Sequence, residues 1–317
     1  MYYLVTKQSP IYRQMSLDDF LFGDEFIEEK YCQAPNHTNT RTYCAERFSD
    51  KITESVDKYH LMEVLEQFNA RHSELIAVEN KEELYNTFYI PKKSKGFRRI
   101  DAPNQELSNA LRELKEIFER EFNALYHTTA FAYVKERSIV DCLKRHQSNE
   151  SKWFAKFDLS NFFGSTTQEY VVKMFSMIFP FSEVLKWERG RNAFSQAISL
   201  AFLNGGLPQG TPISPIITNI IMIPVDFELS NKLRFYGDEG KEQHYVYTRY
   251  ADDFQVSSRY TFSFKKIEQI IVDTLRKFGA PFQLNAKKTR YGSSSGSNWN
   301  LGLMLNKDNN LFLNVFL

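Results

Sequence analysis

Residues 247–258 read YTRYADDFQVSS, and two adjacent carboxylates, Asp252 and Asp253, interrupt sequence that is otherwise strand-like. Val246 and Tyr247 precede them and Phe254 and Val256 follow, so the flanks have the character of a strand pair with Ala251, Asp252 and Asp253 at its tight turn. Two like charges on a turn repel. Aspartate is also a favoured turn residue, because its side chain bonds nearby backbone, and a solvated turn accounts for the stretch taken alone. The other account is a divalent cation, since Mg²⁺ takes oxygen ligands and neutralises carboxylates held together. A metal site then needs a third carboxylate from elsewhere in the chain.

At 317 residues the chain can bury a large core, in two or three subdomains. Phe (28) and Tyr (17) are frequent while Gly (13) and Pro (10) are ordinary, which excludes disordered and fibrous classes. Cys32, Cys44 and Cys142 are odd in number and lack metal-ligand spacing, against both a disulfide framework and a zinc site, so a reducing cytoplasm is the expected location. The opening MYYLVTKQSPIYRQ has no secretion-signal pattern, and no apolar stretch is long enough to span a bilayer, so no membrane role is expected. With a formal charge of +1, nucleic-acid affinity must come from local clusters. The best of these is Lys92, Lys93, Lys95, Arg98 and Arg99 in PKKSKGFRRI, turning at Ser94 and Gly96; a solvated basic hairpin is the plainer account of the same residues.

Residues 51–69 place Ile52, Val56, Leu61, Val64, Leu65 and Phe68 at helical spacing, and 106–125 do so with Leu107, Leu111, Leu114, Phe118 and Leu125. Between them FYIPKK and RRIDAP predict paired strands at a sheet edge, and QAPNHTNTRT at 33–42 predicts a loop. QEYVVKMFSMIF and NAFSQAISLAFL predict buried helices, the second ending at Asn204 and Gly205–Gly206. GGLPQGTPISPIITNIIMIPVDFEL is a turn running into an apolar segment, FQLNAKKT is expected to be extended, YGSSSGSN a flexible loop, and LGLMLNKDNNLFLNV a hairpin turning at Asp308–Asn310.

The third carboxylate is Asp158, at the end of the apolar strand in FAKFDLSNFF. Side chains from separate strands then share two metal ions, an arrangement suited to in-line attack on phosphorus and hence to nucleotidyl transfer.

From about residue 86 to 317 the sequence resembles the reverse transcriptases, in the bacterial branch that holds retron, group II intron and phage-defence enzymes. The matching segments, in the family's order, are IPKKSKGFRRIDAP, AFAYVKERSIVDCLKRH, FDLSNFFGS, GLPQGTPISPIITNI, YTRYADDFQVSS, NAKKT and NLGLML. The resemblance implies an α+β right-hand polymerase: a mainly helical extension at 1–85, fingers at 86–155 with 168–206 returning to them, and palm at 156–167 and 207–317. The antiparallel palm sheet carries the YADD hairpin, and the chain stops at Leu317 where a thumb would begin, so the thumb is missing or cut off.

By the same resemblance Asp158, Asp252 and Asp253, with the Leu159 carbonyl, hold two Mg²⁺ ions, for which Mn²⁺ can substitute, and Lys288 in NAKKT protonates the pyrophosphate leaving group, with Lys287 as its rival. Phe163 matches the ring that excludes a 2′-hydroxyl, although Phe162 adjoins it and only one can face the sugar. Gln209 and Gly210 in LPQG line the incoming dNTP, Lys92 and Arg98 clasp its triphosphate, and Lys93 and Arg99 are weaker matches. Ser214 and Asn219 support template and nascent pair, and Tyr250 and Arg249 contact primer or pack the hairpin. Ser214 reads equally as a helix cap and Gln209 as a turn residue. His146 closes a matching segment but is assigned no catalytic role.

NAFSQ at 192–196 stands where retron enzymes carry NAxxH, and NLG at 300–302 where they carry VTG, which leaves the retron, intron and defence types all open. The implied function is RNA-directed DNA polymerisation in a bacterial defence or retroelement system. Its partners are an RNA template or structured non-coding RNA, a DNA primer and dNTPs, with a partner protein or second copy supplying grip on the duplex. Untemplated or protein-primed DNA synthesis and an RNA-binding scaffold are the alternatives; RNA-dependent RNA synthesis is disfavoured by Phe163.

Overall fold

A computed structural model of the chain describes residues 58–92, 96–121, 126–234, 244–294, 303–305 and 308–313. In chain order the elements are α1 (Lys58–Arg71), α2 (Ser73–Ala77), β1 (Tyr85–Pro91), β2 (Phe97–Pro103), α3 (Gln105–Glu121), α4 (Ile139–Ser148) and β3 (Trp153–Asp158). There follow α5 (Phe162–Ser165), α6 (Gln168–Phe175), α7 (Phe181–Leu185), α8 (Glu188–Ser199), α9 (Ser214–Ile221), α10 (Ile223–Arg234), β4 (Val246–Tyr250) and β5 (Asp253–Ser258). The series ends with α11 (Phe264–Lys277), β6 (Arg290–Ser293), β7 (Leu303–Leu305) and β8 (Leu311–Leu313).

The chain divides into two compact units, one of residues 1–78, 113–125 and 175–200 and the other of 79–112, 126–174 and 201–317. The described part of the first is helical. Leu61, Leu65 and Phe68 of α1 recur at helical spacing and are buried, while Phe118, Phe175, Phe181 and Phe194 form an aromatic cluster with Phe175 and Phe181 centred 4.7 Å apart.

The second unit is built on a four-stranded sheet of order β4-β5-β3-β6 in which every neighbouring pair is antiparallel. Period two sorts the side chains of this sheet between its faces. Phe157, stacked on Phe264 of α11 at 5.2 Å, shares one face with Ala155 and with Phe254 and Val256 across the strand pair. The opposite face carries Phe154, Lys156 and Asp158, with Ser257, Gln255 and Asp253 respectively opposite them on β5.

Helix α4 covers part of that second face. It begins at a capping box in which the Ser138 hydroxyl accepts from the Asp141 amide and the Asp141 carboxylate accepts from Ser138. Its His146 is fully buried, with Nδ1 2.6 Å from Ser257 Oγ and Nε2 2.8 Å from Thr248 Oγ1. Because Ser257 donates onward to Ser151, Nδ1 carries the proton and Nε2 accepts from Thr248, so the ring is neutral and structural. Burial pushes its pKa down to about 3 from an ordinary 6.5. The unfolded chain therefore binds a proton there that the folded chain refuses, and stability falls as pH drops from 6.5 toward 3. The expected loss from this group is about 2 kcal/mol at pH 5. Denaturant midpoints at pH 7 and 5 should diverge less in His146→Gln than in the parent chain.

Several local expectations are corrected. The helix predicted over NAFSQAISLAFL is α8 and ends at Ser199; Asn204 and Gly205, with φ of 53° and 81°, form a two-residue turn closed by the Leu203–Gly206 bridge. FQLNAKKT is extended only as far as a bridge from Leu284 to Leu159, and the amides of Lys288 and Thr289 then turn back onto the Asn285 carbonyl. The start of YGSSSGSN is not loop but strand β6, because Tyr291 and Gly292 pair with Ala155 and Phe154. Asp253 belongs to β5, paired with Tyr250, so the tight turn is Ala251–Asp252. Cys32, Cys44, the loop at 33–42, Ile52 and Val56 lie outside the described residues, as does Lys93.

Candidate active site

Asp158 is the last residue of β3 and Asp253 the first of β5, and the two stand opposite one another in the ladder. Asp252 occupies the preceding two-residue turn, whose first residue, Ala251, has φ of 57°. A positive φ at that first position alone is the type II′ pattern, which glycine adopts without strain and alanine does not. The Leu159 amide donates to the Asp252 carbonyl and the Asn285 amide to the Asp158 carbonyl, which fixes all three carboxylates at one end of the sheet.

Burial, and then the charge of Asp253, push the Asp252 carboxyl up to about 6. Asp253 is also raised by burial, with Lys156 opposing. Among the described residues no group of three or more His, Cys, Asp or Glu already has the spacing of a metal cage. Two lysines instead hold the acids, with Lys288 Nζ 2.9 Å from Asp158 Oδ2 and Lys156 Nζ 2.6 Å from Asp253 Oδ2. Asp158 Oδ1 is buried without a hydrogen-bond partner. An orphaned carboxylate oxygen beside two further carboxylates is an all-oxygen donor set that suits a hard divalent cation.

Asp158 and Asp252 open into a cleft of about 1250 Å³ within the second unit. Lys92, Arg98, Asp158, Leu159, Phe163, Gln209, Gly210, Ser214, Asp252 and Lys288 all line it. Both rivals, Phe162 and Phe163, line this cleft, but Phe162 is buried with its ring 4.8 Å from Phe282, whereas Phe163 is half-buried. The LPQG turn docks on β2 through the Asp101 amide donating to the Gln209 carbonyl at 2.9 Å. Gly210, at φ of 120°, lies where a Cβ would meet Ile100 and the Asp101 carbonyl, so the close approach requires glycine. Arg99 is paired with Asp101 at 2.7 Å.

Ser214 is buried at the start of α9, donating to the Pro208 carbonyl and bonded to Thr211, so it braces the turn rather than capping the helix through its side chain. Asn219 is also buried, donating to the Ala132 carbonyl and accepting from Arg249, which puts its amide behind the cleft. Tyr250 is half-buried opposite Asp253. Arg249 packs the hairpin: it is 1% exposed, pairs with Asp226 and donates to the Ala251 carbonyl at 3.1 Å. Sequence reasoning missed Asp226, Lys156 and Tyr133. Tyr133 lines the cleft with φ of 57°, and no periodic signal marks it.

The described part of the chain resembles in fold the apo telomerase of Candida tropicalis, with a TM-score of 0.52 at 17% identity over 75% of this chain and 48% of that one. With its antiparallel sheets and helices, the fold is that of a polymerase with fingers and palm. Residues 90–305 match the family model for reverse transcriptase (RNA-dependent DNA polymerase). The Retron Ec83 reverse transcriptase of Escherichia coli is 31% identical over 235 residues, covering 72% of this chain and 70% of that protein. The Retron Ec73 reverse transcriptase of the same organism is 31% identical over 174 residues, covering 54% and 52%. The chain thus spans about half the length of the Ec73 enzyme and of the telomerase.

This chain belongs to the reverse transcriptase family, and by class it is an RNA-directed DNA polymerase. The family as a whole depends on divalent metal and acts on nucleic acid. The departures at NAFSQ and NLG do not separate it from retron enzymes. Among the described residues no helix is long and apolar enough to cross a membrane.

Proposed function

We propose that this chain extends a DNA primer on an RNA template from dNTPs, as the polymerase of a bacterial retron in the cytoplasm. The observation that supports this most directly is the pairing of Asp158 with Asp253 beside Asp252, with Asp158 and Asp252 lining a cleft that also carries basic and aromatic side chains. Asp158, Asp252, Asp253 and the Leu159 carbonyl would hold two Mg²⁺ ions, or Mn²⁺ in their place, which when bound activate the primer hydroxyl and stabilise the leaving oxygen. Lys92 and Arg98 engage the triphosphate, where the guanidinium offers paired donors. Gln209 and Gly210 seat the nucleotide against β2.

Lys288 is already hydrogen-bonded to Asp158 and donates a proton to departing pyrophosphate. Ser214 and Asn219 hold the wall behind the template, and Tyr250 flanks the primer on the YADD hairpin. In this reading residues 86–155 and 168–206 are fingers, 156–167 and 207–317 palm, and 1–85 an extension. A structured non-coding RNA, with a partner protein or a second copy of the chain, supplies grip on the duplex beyond what a near-neutral protein provides.

The test is nucleotide incorporation by the purified chain with Mg²⁺, with and without an RNA template annealed to a DNA primer. Template-dependent DNA is expected. Product without template would favour untemplated or protein-primed synthesis, and RNA binding with no product under any condition would favour a scaffold. In the same assay Phe163→Ala is expected to raise ribonucleotide use relative to deoxynucleotide by on the order of a hundredfold, because the pocket loses the ring that meets the 2′-hydroxyl. Unchanged sugar choice would remove Phe163 from this role.

A further inference from the structure

Lys156 lies two residues before Asp158 on β3, so both side chains project from the same face of the sheet. Its ammonium donates to Asp253, and the two side chains are only 16% and 20% exposed. Lys288 makes the matching contact to Asp158 from a side chain 59% exposed, which has open solvent to move into. Lys156 has no such exit. Its strand runs between β5 and β6, with Gln255 opposite it on one side and Arg290 on the other.

Gln255 is 3% exposed, and neither its Oε1 nor its Nε2 has a hydrogen-bond partner. A buried amide left wholly unsatisfied is costly and rare in folded proteins. Directly opposed residues of an antiparallel pair have Cβ atoms about 5 Å apart, so the Lys156 ammonium can reach Asp253 or the Gln255 carbonyl from one backbone position.

We propose that Lys156 is an internal counter-cation that occupies Asp253 until a divalent ion binds and then passes its hydrogen bond to the side-chain carbonyl of Gln255. The inference rests on the reading of Asp158, Asp252 and Asp253 as a metal-binding set. A carboxylate oxygen that takes a metal ion no longer serves an ammonium as well, and two cations on one acid repel. The displaced ammonium cannot remain buried and unpaired. Gln255 offers it a neutral acceptor that adds no charge to the acid cluster. Lys156 thereby acts as a positioning residue that sets metal affinity: it stabilises the metal-free site and competes with the ion for Asp253.

Mn²⁺ titration of the purified full chain, with free ion followed by electron paramagnetic resonance, tests this apart from catalysis. Lys156→Met is expected to tighten binding about tenfold by removing a unit charge near the acids. Gln255→Met is expected to weaken binding severalfold and, by removing the unsatisfied amide, to raise Tm. The double variant is expected to bind like Lys156→Met, because Gln255 matters only while an ammonium needs a place.

Parent-chain binding that Asp252→Asn abolishes, with Lys156→Met unchanged from parent, would overturn the inference and leave the metal site standing. No binding by the parent, or binding indifferent to Asp252→Asn, would overturn the metal reading and the inference with it. Should Lys156→Met not fold, Gln255→Met decides alone, and parent-like Mn²⁺ affinity in it would overturn the inference.

Discussion

Asp252→Asn is expected to lower primer extension by on the order of a thousandfold, as removal of a preorganised electrostatic group does elsewhere, while RNA binding is kept. Asparagine has the shape of the aspartate and loses only its charge, so the Ala251–Asp252 turn and the Leu159 amide bond to its carbonyl remain. Burial and Asp253 push the carboxyl at 252 up to about 6, which means the fold disfavours its charged form. Neutralising it should therefore leave Tm equal or higher. A variant that loses extension with an undiminished Tm and parent-like RNA affinity assigns the loss to chemistry. Extension at more than about a tenth of the parent rate would contradict Asp252 as a metal ligand, since removing a ligand carboxylate cannot cost so little.

The features that were legible in the sequence share one property: they are set by alternation along a strand or by a residue type that the backbone demands. Strand character around Asp158 and around Asp253 was readable from Phe154, Phe157, Phe254 and Val256, and pairing those strands brings the acids opposite one another. Phe162 and Phe163 could not be separated in the same way, because α5 is four residues long and Phe282, distant in sequence, decides which ring is covered. The turn at Asn285 was hidden for a related reason. NAKKT has no glycine or proline; the Lys287 amide donates to the Asn285 side chain and the Lys288 and Thr289 amides to its carbonyl, while the Asn285 amide is anchored on the Asp158 carbonyl, a tertiary contact with no local mark.

Lys156 was within reach of sequence reasoning, since a lysine two positions from a strand acid must share its face. Gln255 was as well, being the second residue after Asp253 on the same strand. Asp226 was signalled more faintly, as one of two acids, with Glu228, in the largely apolar run IIMIPVDFEL, where burial of the helix forces a search for a cation. Nothing in the spacing says that the cation is Arg249. That pairing depends on how α10 crosses β4, a tertiary property with no local mark.

Asp226→Ala carries the largest expected cost to stability, about 3–5 kcal/mol, because it leaves the Arg249 guanidinium buried without its counter-ion. Asp226 is 0% and Arg249 1% exposed, joined by Nη2 to Oδ2 at 2.7 Å and by Nε to both oxygens, while the Tyr247 hydroxyl donates to the same carboxylate at 2.7 Å. Denaturant unfolding of parent and variant measures the difference. Replacing both charges, as Asp226→Leu with Arg249→Met, should recover part of the stability, since no buried charge is left unpaired, although the buried Tyr247 hydroxyl still lacks its acceptor. It should not recover primer extension. Arg249 Nη1 donates to the Ala251 carbonyl at 3.1 Å and to Asn219 at 3.0 Å, so its loss releases the strained turn that carries Asp252. A double variant that is stable but inactive therefore separates the two duties of Arg249, neutralising Asp226 and holding the turn, whereas a double variant with parent-like extension would show that β4–β5 pairing alone fixes Asp252.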